Sequence, residues 1–152
     1  MSLTHEFLEQ VRQASEKAFP FIERCGIQAL TVKQGYCHLR IPLDTNKNHI
    51  GTMYAGALFT LAELPGGVIY LTSFDTSRFY PIIKNMSIRF RRPAMSDVEV
   101  QVQLDPAEVA RISAQAEAEG KCDFNWTLEL KDVQGEVVAL ADCLYQLRRI
   151  GS

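Results

Sequence analysis

The chain has 152 residues, of which 47% are apolar and 22% charged, and its formal net charge is −2. This length favours one domain, spanning 1–152, with a buried core. The lack of a basic excess argues against nucleic acid as the main partner. Four cysteines without a C-x-x-C pair and three scattered histidines match no metal pattern, so we expect neither a metal nor a cofactor. Reduced cysteines and the absence of an apolar leader core predict a cytoplasmic protein.

Hydrophobic periodicity divides the chain into three helices and six strands. The predicted helices are 4–19, 53–73 and 106–119. Their predicted caps are Thr4, Thr52 and Asp105. The predicted strands are 27–34, 35–43, 80–92, 97–104, 121–132 and 136–148. A helix that is apolar all round must be enclosed, so the sequence predicts an α+β fold. In it, an antiparallel sheet of about six strands wraps around a long central helix, with an N-terminal helix and a short inserted helix.

The central helix contains a single charge. Within residues 50–74 the only charged side chain is Glu63, and a carboxylate in an apolar environment must be paired, protonated or functional. Pro65 removes a backbone N–H and predicts a kink just after Glu63. The adjacent Gly66 and Gly67 allow a bulky group to approach the helix. The run is long enough to span a membrane, but the charge, the proline and the glycines predict that it does not.

Two segments, residues 51–63 (GTMYAGALFTLAE) and 87–94 (SIRFRRPA), resemble motifs of the hotdog-fold thioesterase superfamily. Residues 51–63 (GTMYAGALFTLAE) are similar to the motif that starts the central helix of the phenylacetate-type thioesterases, where His-Gly-Gly precedes Leu-x-Asp. They are closer still to the Gly-Ala-Leu-Phe…Ala-Glu version found in the uncharacterised DUF4442-type relatives. Residues 87–94 (SIRFRRPA) resemble the Phe-x-Arg-Pro-Ala strand end of the same group. The resemblance covers about 20–148 and implies a hotdog fold, an acyl thioester substrate carried by coenzyme A or a carrier protein, and a homodimer or dimer of dimers.

Thioester hydrolysis needs a carboxylate that activates water or attacks directly, and N–H donors for the oxyanion. We assign the first role to Glu63, which replaces the family's aspartate. The second role suits the backbone amides of Ala55 and Gly56, because amides in the first helical turn are unsatisfied and the helix dipole is positive there. Tyr54 stands in place of the family's histidine, and Ala55 in place of its first glycine. The structural alternatives are a carboxylate held by amides or an arginine at Glu63, and a close-packing glycine at Gly56.

The spacing of these groups predicts a site shared by two chains. Gly56 and Glu63 are seven residues apart, so they lie on nearly the same face of the helix but about 10 Å apart along its axis. One helix therefore cannot bring both to a single carbonyl. Two antiparallel helices across a dimer axis can, with the amides from one chain and the carboxylate from the other. The hypothesis thus requires a homodimer.

Further candidate residues surround this motif. Asn48 is predicted to orient the loop or the attacking water, with an Asx-turn residue as its structural alternative. Tyr54 and His49 are candidate substrate contacts, as are Asn85 and Ser87 on the polar face of a strand. Their alternatives are a packing tyrosine, an exposed loop histidine and a solvated strand face. The arginines that follow are candidates for the phosphates of coenzyme A, or else an ordinary charged strand end. They are Arg89, Arg91 and Arg92.

Two other functions compete with thioester hydrolysis. Hotdog dehydratases pair a histidine with a helix glutamate, and His49 precedes Glu63 by fourteen residues, a separation that they also use. They also carry a proline-rich run that ends Pro-Gly five residues before the glutamate, whereas Gly56 is seven residues before it and no proline intervenes. The other alternative is a non-catalytic module that binds acyl-CoA or fatty acid, whose pocket would have the same sequence features.

Overall fold

One apolar helix, interrupted near its middle, lies across a six-stranded antiparallel sheet in the computed structural model, which describes residues 2–152. The helices are α1 (His5–Ser15), α2 (Pro20–Cys25), α3 (Ala55–Glu63), α4 (Pro65–Ser73) and α5 (Pro106–Glu119). The strands are β1 (Gln28–Lys33), β2 (Tyr36–Ile41), β3 (Phe79–Phe90), β4 (Val98–Gln103), β5 (Lys121–Asp132) and β6 (Val137–Arg149). Their order across the sheet is β1-β2-β4-β5-β6-β3. The predicted α+β fold, a sheet around a central helix, is confirmed.

The central helix consists of α3 and α4, which meet at Leu64. Pro65 occupies the first position of α4, and the helix is interrupted directly after Glu63, where a kink is predicted; we call this interruption the kink. Leu61 and Ala62 are fully buried. The combined segment Ala55–Ser73 is long and apolar enough to cross a membrane by composition, but 61% of its most apolar stretch is buried inside the protein. A core helix has the same properties, so this segment is weak evidence for a membrane span.

The prediction that Thr52 caps the central helix is wrong. The N-cap position is occupied by Tyr54, which is extended (φ −60°, ψ 136°) and whose side chain makes no capping hydrogen bond. Thr52 is held instead by Asn48, whose side-chain amide donates to Thr52 Oγ1 over 2.8 Å. Asn48 Oδ1 also accepts from the Thr52 N–H over 3.1 Å. A hydroxyl bonded within the preceding loop is not available as a cap, and the helix begins at Ala55.

The N-terminal helix is shorter than predicted, and a second helix follows it. Thr4 caps α1 as predicted, accepting from the Phe7 N–H over 3.1 Å, but the helix ends at Ser15. Pro20, which was expected only to end the first helix, begins α2, because its fixed φ and missing N–H suit the first helical position. Gly26 then ends α2 in the left-handed conformation, at φ 71°.

Aromatic side chains from the sheet pack beneath the C-terminal half of the central helix. Phe124 stacks on Tyr145 with ring centroids 5.6 Å apart, and Trp126 lies 4.8 Å from the Tyr145 ring. Phe74, just after α4, extends this cluster at 5.9 Å from Phe124. The strand alternation that predicts these inward positions is thereby confirmed. Tyr145 also contacts Gly66, so the cluster joins β6 to α4.

The two glycines of α4 differ in what surrounds them. A Cβ at Gly66 would lie 2.6 Å from Tyr145 Cε1, whereas a Cβ at Gly67 would meet nothing within 4 Å. We expect Gly66→Ala to lower the free energy of unfolding by about 1–3 kcal/mol, because the added methyl overpacks the contact. Gly67→Ala is expected to raise it by about 0.5–1 kcal/mol, because alanine favours a helix. Urea unfolding measures both variants, and equal stabilities would contradict the close contact at Gly66.

Candidate active site

Glu63 ends α3, and its side chain is partly buried. Among residues 2–152, no group donates a hydrogen bond to its carboxylate and no cation pairs with it. The described structure therefore does not support the alternative that amides or an arginine hold this carboxylate in a structural role. Burial is what raises the pKa of Glu63 above its ordinary value. A carboxylate with a raised pKa and no structural partner is suited to accept a proton near neutral pH.

An apolar cavity of about 390 Å³ adjoins Glu63, between α1 and α4. Its other lining residues are Val11, Ala14, Ser15, Ala18, Phe19, Leu64, Gly67, Val68 and Leu71. The Ser15 hydroxyl donates to the Val11 carbonyl over 2.7 Å and is therefore already satisfied. Of the side chains that line the cavity, Glu63 is the one that carries a charge. The carboxylate thus faces a space that could hold an apolar group.

The N-terminus of α3 presents two unused amides. Ala57 and Leu58 both donate to the carbonyl of Tyr54, over 2.9 and 3.2 Å. The N–H groups of Ala55 and Gly56 find no acceptor within the described chain, and no side chain caps this end. Free amides at the positive end of a helix dipole are the groups that stabilise an oxyanion.

Tyr54 lies across this helix start. A Cβ at Gly56 would lie 2.5 Å from Tyr54 Cε2, so the glycine is what allows the ring to rest there. The tyrosine is 59% exposed. Gly56 is therefore a close-packing glycine and also contributes one of the two unused amides. The predicted substrate contact, Tyr54, lies directly beside the candidate oxyanion site.

The structure keeps the two halves of the predicted site apart within one chain. Gly56 and Glu63 belong to the same unbroken helix, α3. Their seven-residue separation amounts to about 10 Å along the helix axis. A single carbonyl can therefore contact either the amides or the carboxylate of one chain, but not both.

An apolar stripe on the central helix is left uncovered by the sheet. It recurs every four residues and consists of Ala55, Phe59, Glu63, Gly67 and Leu71. Phe59 is 40% and Leu71 39% exposed, and Glu63 lies in the middle of the stripe. We call these five residues the outer stripe. The neighbouring sheet edge, β3, pairs with β6 alone and exposes Ile83 and Phe90. Exposed apolar surface of this extent is characteristic of a protein interface.

The loop before α3 is organised by Asn48. Its Oδ1 accepts from the N–H groups of Ile50 and Thr52, at 3.0 and 3.1 Å, and its amide donates to Thr52. Asn48 therefore holds the loop as an Asx-turn residue does. His49 is exposed in the same loop. The structure does not bring either side chain to the Glu63 of its own chain.

Three of the predicted substrate contacts lie on the far face of the sheet. Along β3, Met86 and Ile88 stand opposite buried positions of β6 and face the central helix. Asn85, Ser87 and Arg89 alternate with them and are exposed on the other face. There, Ser87 and Arg89 line a shallow cavity of about 450 Å³ with Thr127 and Asp142. Within one chain these three residues are separated from Glu63 by the sheet.

The second resemblance segment meets the first at the start of α3. The Met53 N–H donates to the Ala94 carbonyl over 2.9 Å, which places the segment that follows β3 beside the candidate oxyanion site. Arg92 pairs with Glu136 across 2.5 Å. Arg91 is exposed and has no ion-pair partner among residues 2–152. Among the three arginines predicted to contact phosphate, Arg91 is therefore the one without an ion pair that lies closest in sequence to Ala94.

Sequence reasoning missed the group that lies beneath the kink. Tyr145 is 4% exposed, its hydroxyl has no hydrogen-bond partner in the described structure, and it packs against Gly66. Alternation placed Tyr145 on the inner face of its strand but could not show which part of the helix it would meet. The one sequence signal was Gly66 itself, since a glycine inside a helix indicates a close approach.

Comparison with known proteins identifies the family. Among solved structures, the chain is 49% identical to PA5026 of Pseudomonas aeruginosa, a protein of unknown function described as a probable thioesterase, with a TM-score of 0.92 over 98% of both chains. Thioesterase HI1161 of Haemophilus influenzae is 13% identical, with a TM-score of 0.73 over 100% of this chain and 95% of its own, and shows the fold alone. No curated protein matches. The family model "Domain of unknown function (DUF4442)" matches residues 9–146, and the chain therefore belongs to the DUF4442 family, with the hotdog-type fold of these thioesterase structures.

Proposed function

We propose that the protein hydrolyses acyl thioesters as a homodimer, with Glu63 of one chain and the Ala55 and Gly56 amides of the other at each site. The observation that carries this proposal is Glu63: a partly buried carboxylate without a structural partner, on the wall of an apolar cavity. The description of the 49% identical PA5026 as a probable thioesterase supports the same reaction class. The alternatives are a binding module and a dehydratase, and the exposed position of His49 does not favour the latter.

The outer stripe supports the two-chain site. If two central helices pack antiparallel through the first half of this stripe, with the two-fold axis near Phe59, the start of one helix lies beside Glu63 of the other. Glu63 then faces the Ala55 and Gly56 amides of the second chain. The same arrangement covers Phe59, which is otherwise exposed. Burying this side chain gives the association a hydrophobic contribution.

The reaction follows from these positions. The ionised Glu63 takes a proton from water, and the water oxygen bonds to the thioester carbonyl carbon as the carbonyl electron pair moves onto its oxygen. The two amides of the second chain stabilise the oxyanion. The oxyanion then collapses, the carbon–sulfur bond breaks, and Glu63 returns the proton to the leaving thiolate. The products are a carboxylic acid and a free thiol, and Glu63 is regenerated.

Each part of the substrate is proposed to meet a different part of the site. The cavity beside Glu63 takes the acyl group, because its lining is apolar. Tyr54 contacts the thioester at the start of α3. Arg91, which has no ion pair in the described structure, contributes charge for the phosphates of coenzyme A or of a carrier's phosphopantetheine arm.

The size of the cavity predicts which acyl chains are accepted. Ala14 lines it from α1, and Ala14→Leu adds three carbons to this wall without disfavouring the helix. We expect kcat/KM to fall about 10-fold or more for the longest acyl-CoA that the wild type hydrolyses, and to change little for short ones. Gln10→Leu, one turn earlier on an exposed face of α1, is the matched control. A uniform loss over all chain lengths would argue against the acyl pocket.

The function is tested by the release of free thiol from acyl-CoAs of several chain lengths. Hydrolysis by the wild type that depends on Glu63 supports the proposal. Saturable acyl-CoA binding without turnover on any chain length would instead identify a binding module.

A further inference from the structure

Two polar groups near the kink of the central helix lack partners. The Tyr145 hydroxyl is a buried donor without an oxygen or nitrogen acceptor in the described structure, although Tyr145 is only 4% exposed, and the sulfur of Cys143 beside it is a weak acceptor. The Glu63 carboxylate is an acceptor without a donor. Leaving a buried hydroxyl without a hydrogen bond is costly. An unsatisfied donor and an unsatisfied acceptor that lie near each other are therefore candidates for a hydrogen bond between them.

The helix brings the two groups into one neighbourhood. The Tyr145 hydroxyl packs against Gly66, which follows Glu63 by three residues. Positions three apart on a helix are neighbours on its surface, at roughly 5–6 Å. The kink at Pro65 lies between them. A side chain at position 66 would occupy the space of the Tyr145 hydroxyl, so the glycine allows this hydroxyl to lie against the helix.

We propose that Tyr145 is a positioning residue for Glu63: its hydroxyl donates a hydrogen bond to the ionised carboxylate and fixes the orientation from which Glu63 takes the proton of water. This inference rests on the proposed function, because the orientation of Glu63 matters for catalysis only if Glu63 takes a proton from water. The hydrogen bond itself does not depend on which reaction the site performs.

The electrostatic surroundings fit this role. Burial alone raises the pKa of Glu63, and the titratable side chains that act on Tyr145 are Cys143 on β6, Cys37 on β2 and Glu63 itself. The α1 side of the cavity contributes uncharged side chains. Burial raises the pKa of Tyr145, and the negative charge of Glu63 adds to the increase. The tyrosine thus keeps its proton at neutral pH and acts as a donor.

Tyr145→Phe tests the proposal, because it removes the hydroxyl and keeps the ring in its aromatic cluster. A hydrogen bond to the ionised form lowers a carboxyl pKa, so its loss is expected to raise the pKa of Glu63. In ¹³C NMR of protein labelled at glutamate side chains, the Glu63 titration should move to higher pH by about one unit. Glu63→Gln identifies the resonance. The acid limb of the kcat/KM profile should move by a similar amount.

Tyr70→Phe is the matched control. Tyr70 lies in α4, and its hydroxyl donates to the Phe79 carbonyl over 2.8 Å. The variant should leave the Glu63 titration unchanged. A Glu63 titration in Tyr145→Phe that coincides with that of the wild type would overturn the proposal, even if hydrolysis depends on Glu63. A shifted titration in a protein that hydrolyses no thioester would leave the hydrogen bond standing and reject the proposed function.

Discussion

Glu63→Gln is expected to lower kcat for acyl thioester hydrolysis by about 100-fold or more, because a glutamine cannot accept the proton of water. The substitution preserves the size of the side chain, so the fold should remain intact. Turnover that persists at the wild-type rate would remove Glu63 from the mechanism. Glu129→Gln, at an exposed position of β5, changes the same functional group far from the cavity and should leave the rate unchanged.

The same variant is expected to be more stable than the wild type at neutral pH. Burial raises the pKa of Glu63 in the folded chain from its ordinary value of 4.5, so the folded state binds this proton more tightly than the unfolded state. The wild type therefore loses free energy of unfolding as the pH rises from 4.5 through the raised pKa. Glutamine does not titrate. The stability difference should be small at pH 4, grow as the pH rises, and level off above the raised pKa.

Thermal unfolding of wild type and Glu63→Gln across this pH range measures the effect. A difference that is constant with pH would show that the carboxylate is not destabilised by burial. Loss of activity together with a gain in stability is the combination expected when a functional group is held in unfavourable surroundings. If Glu63 were a structural carboxylate, Glu63→Gln would be less stable than the wild type at neutral pH.

Sequence reasoning was most successful where one residue determines its local structure. Pro65 places the kink, and the alternation of Met86 and Ile88 places the inner face of β3. The lone charge in an apolar helix singles out Glu63 without knowledge of the fold. Competition between neighbouring side chains was harder to predict. Thr52 is a residue type that caps helices, but in the structure its hydroxyl is bonded to Asn48 instead.

The remaining parts of the site depend on contacts between residues distant in sequence. Alternation predicts that Asn85, Ser87 and Arg89 share a face, but the apolar face of the strand is the one that meets the helix. Tyr145 reaches Gly66 through the register of β6 in the sheet, which no local pattern encodes. Such contacts follow from packing a whole sheet against one helix.

Ala55→Pro is expected to lower kcat by about 100-fold through the loss of a single N–H group. Ala55 is the first residue of α3, where a proline fits, and Tyr54 before it is already extended, as the residue before a proline should be. The lost N–H has no acceptor in the described chain, so stability should change little. Ala55→Ser retains the N–H and should retain most of the activity. A fully active Ala55→Pro would exclude this amide as an oxyanion donor.

Mixing Ala55→Pro with Glu63→Gln then distinguishes a shared site from a site within one chain. If each site takes its amides from one chain and its carboxylate from the other, a mixed dimer contains one site with both substitutions and one site with neither. Random exchange of subunits makes half of the dimers mixed, so about a quarter of the wild-type activity should return. If the site lay within one chain, every site in the mixture would carry a substitution. Activity that stays at the level of the separate variants after complete exchange would therefore reject the shared site.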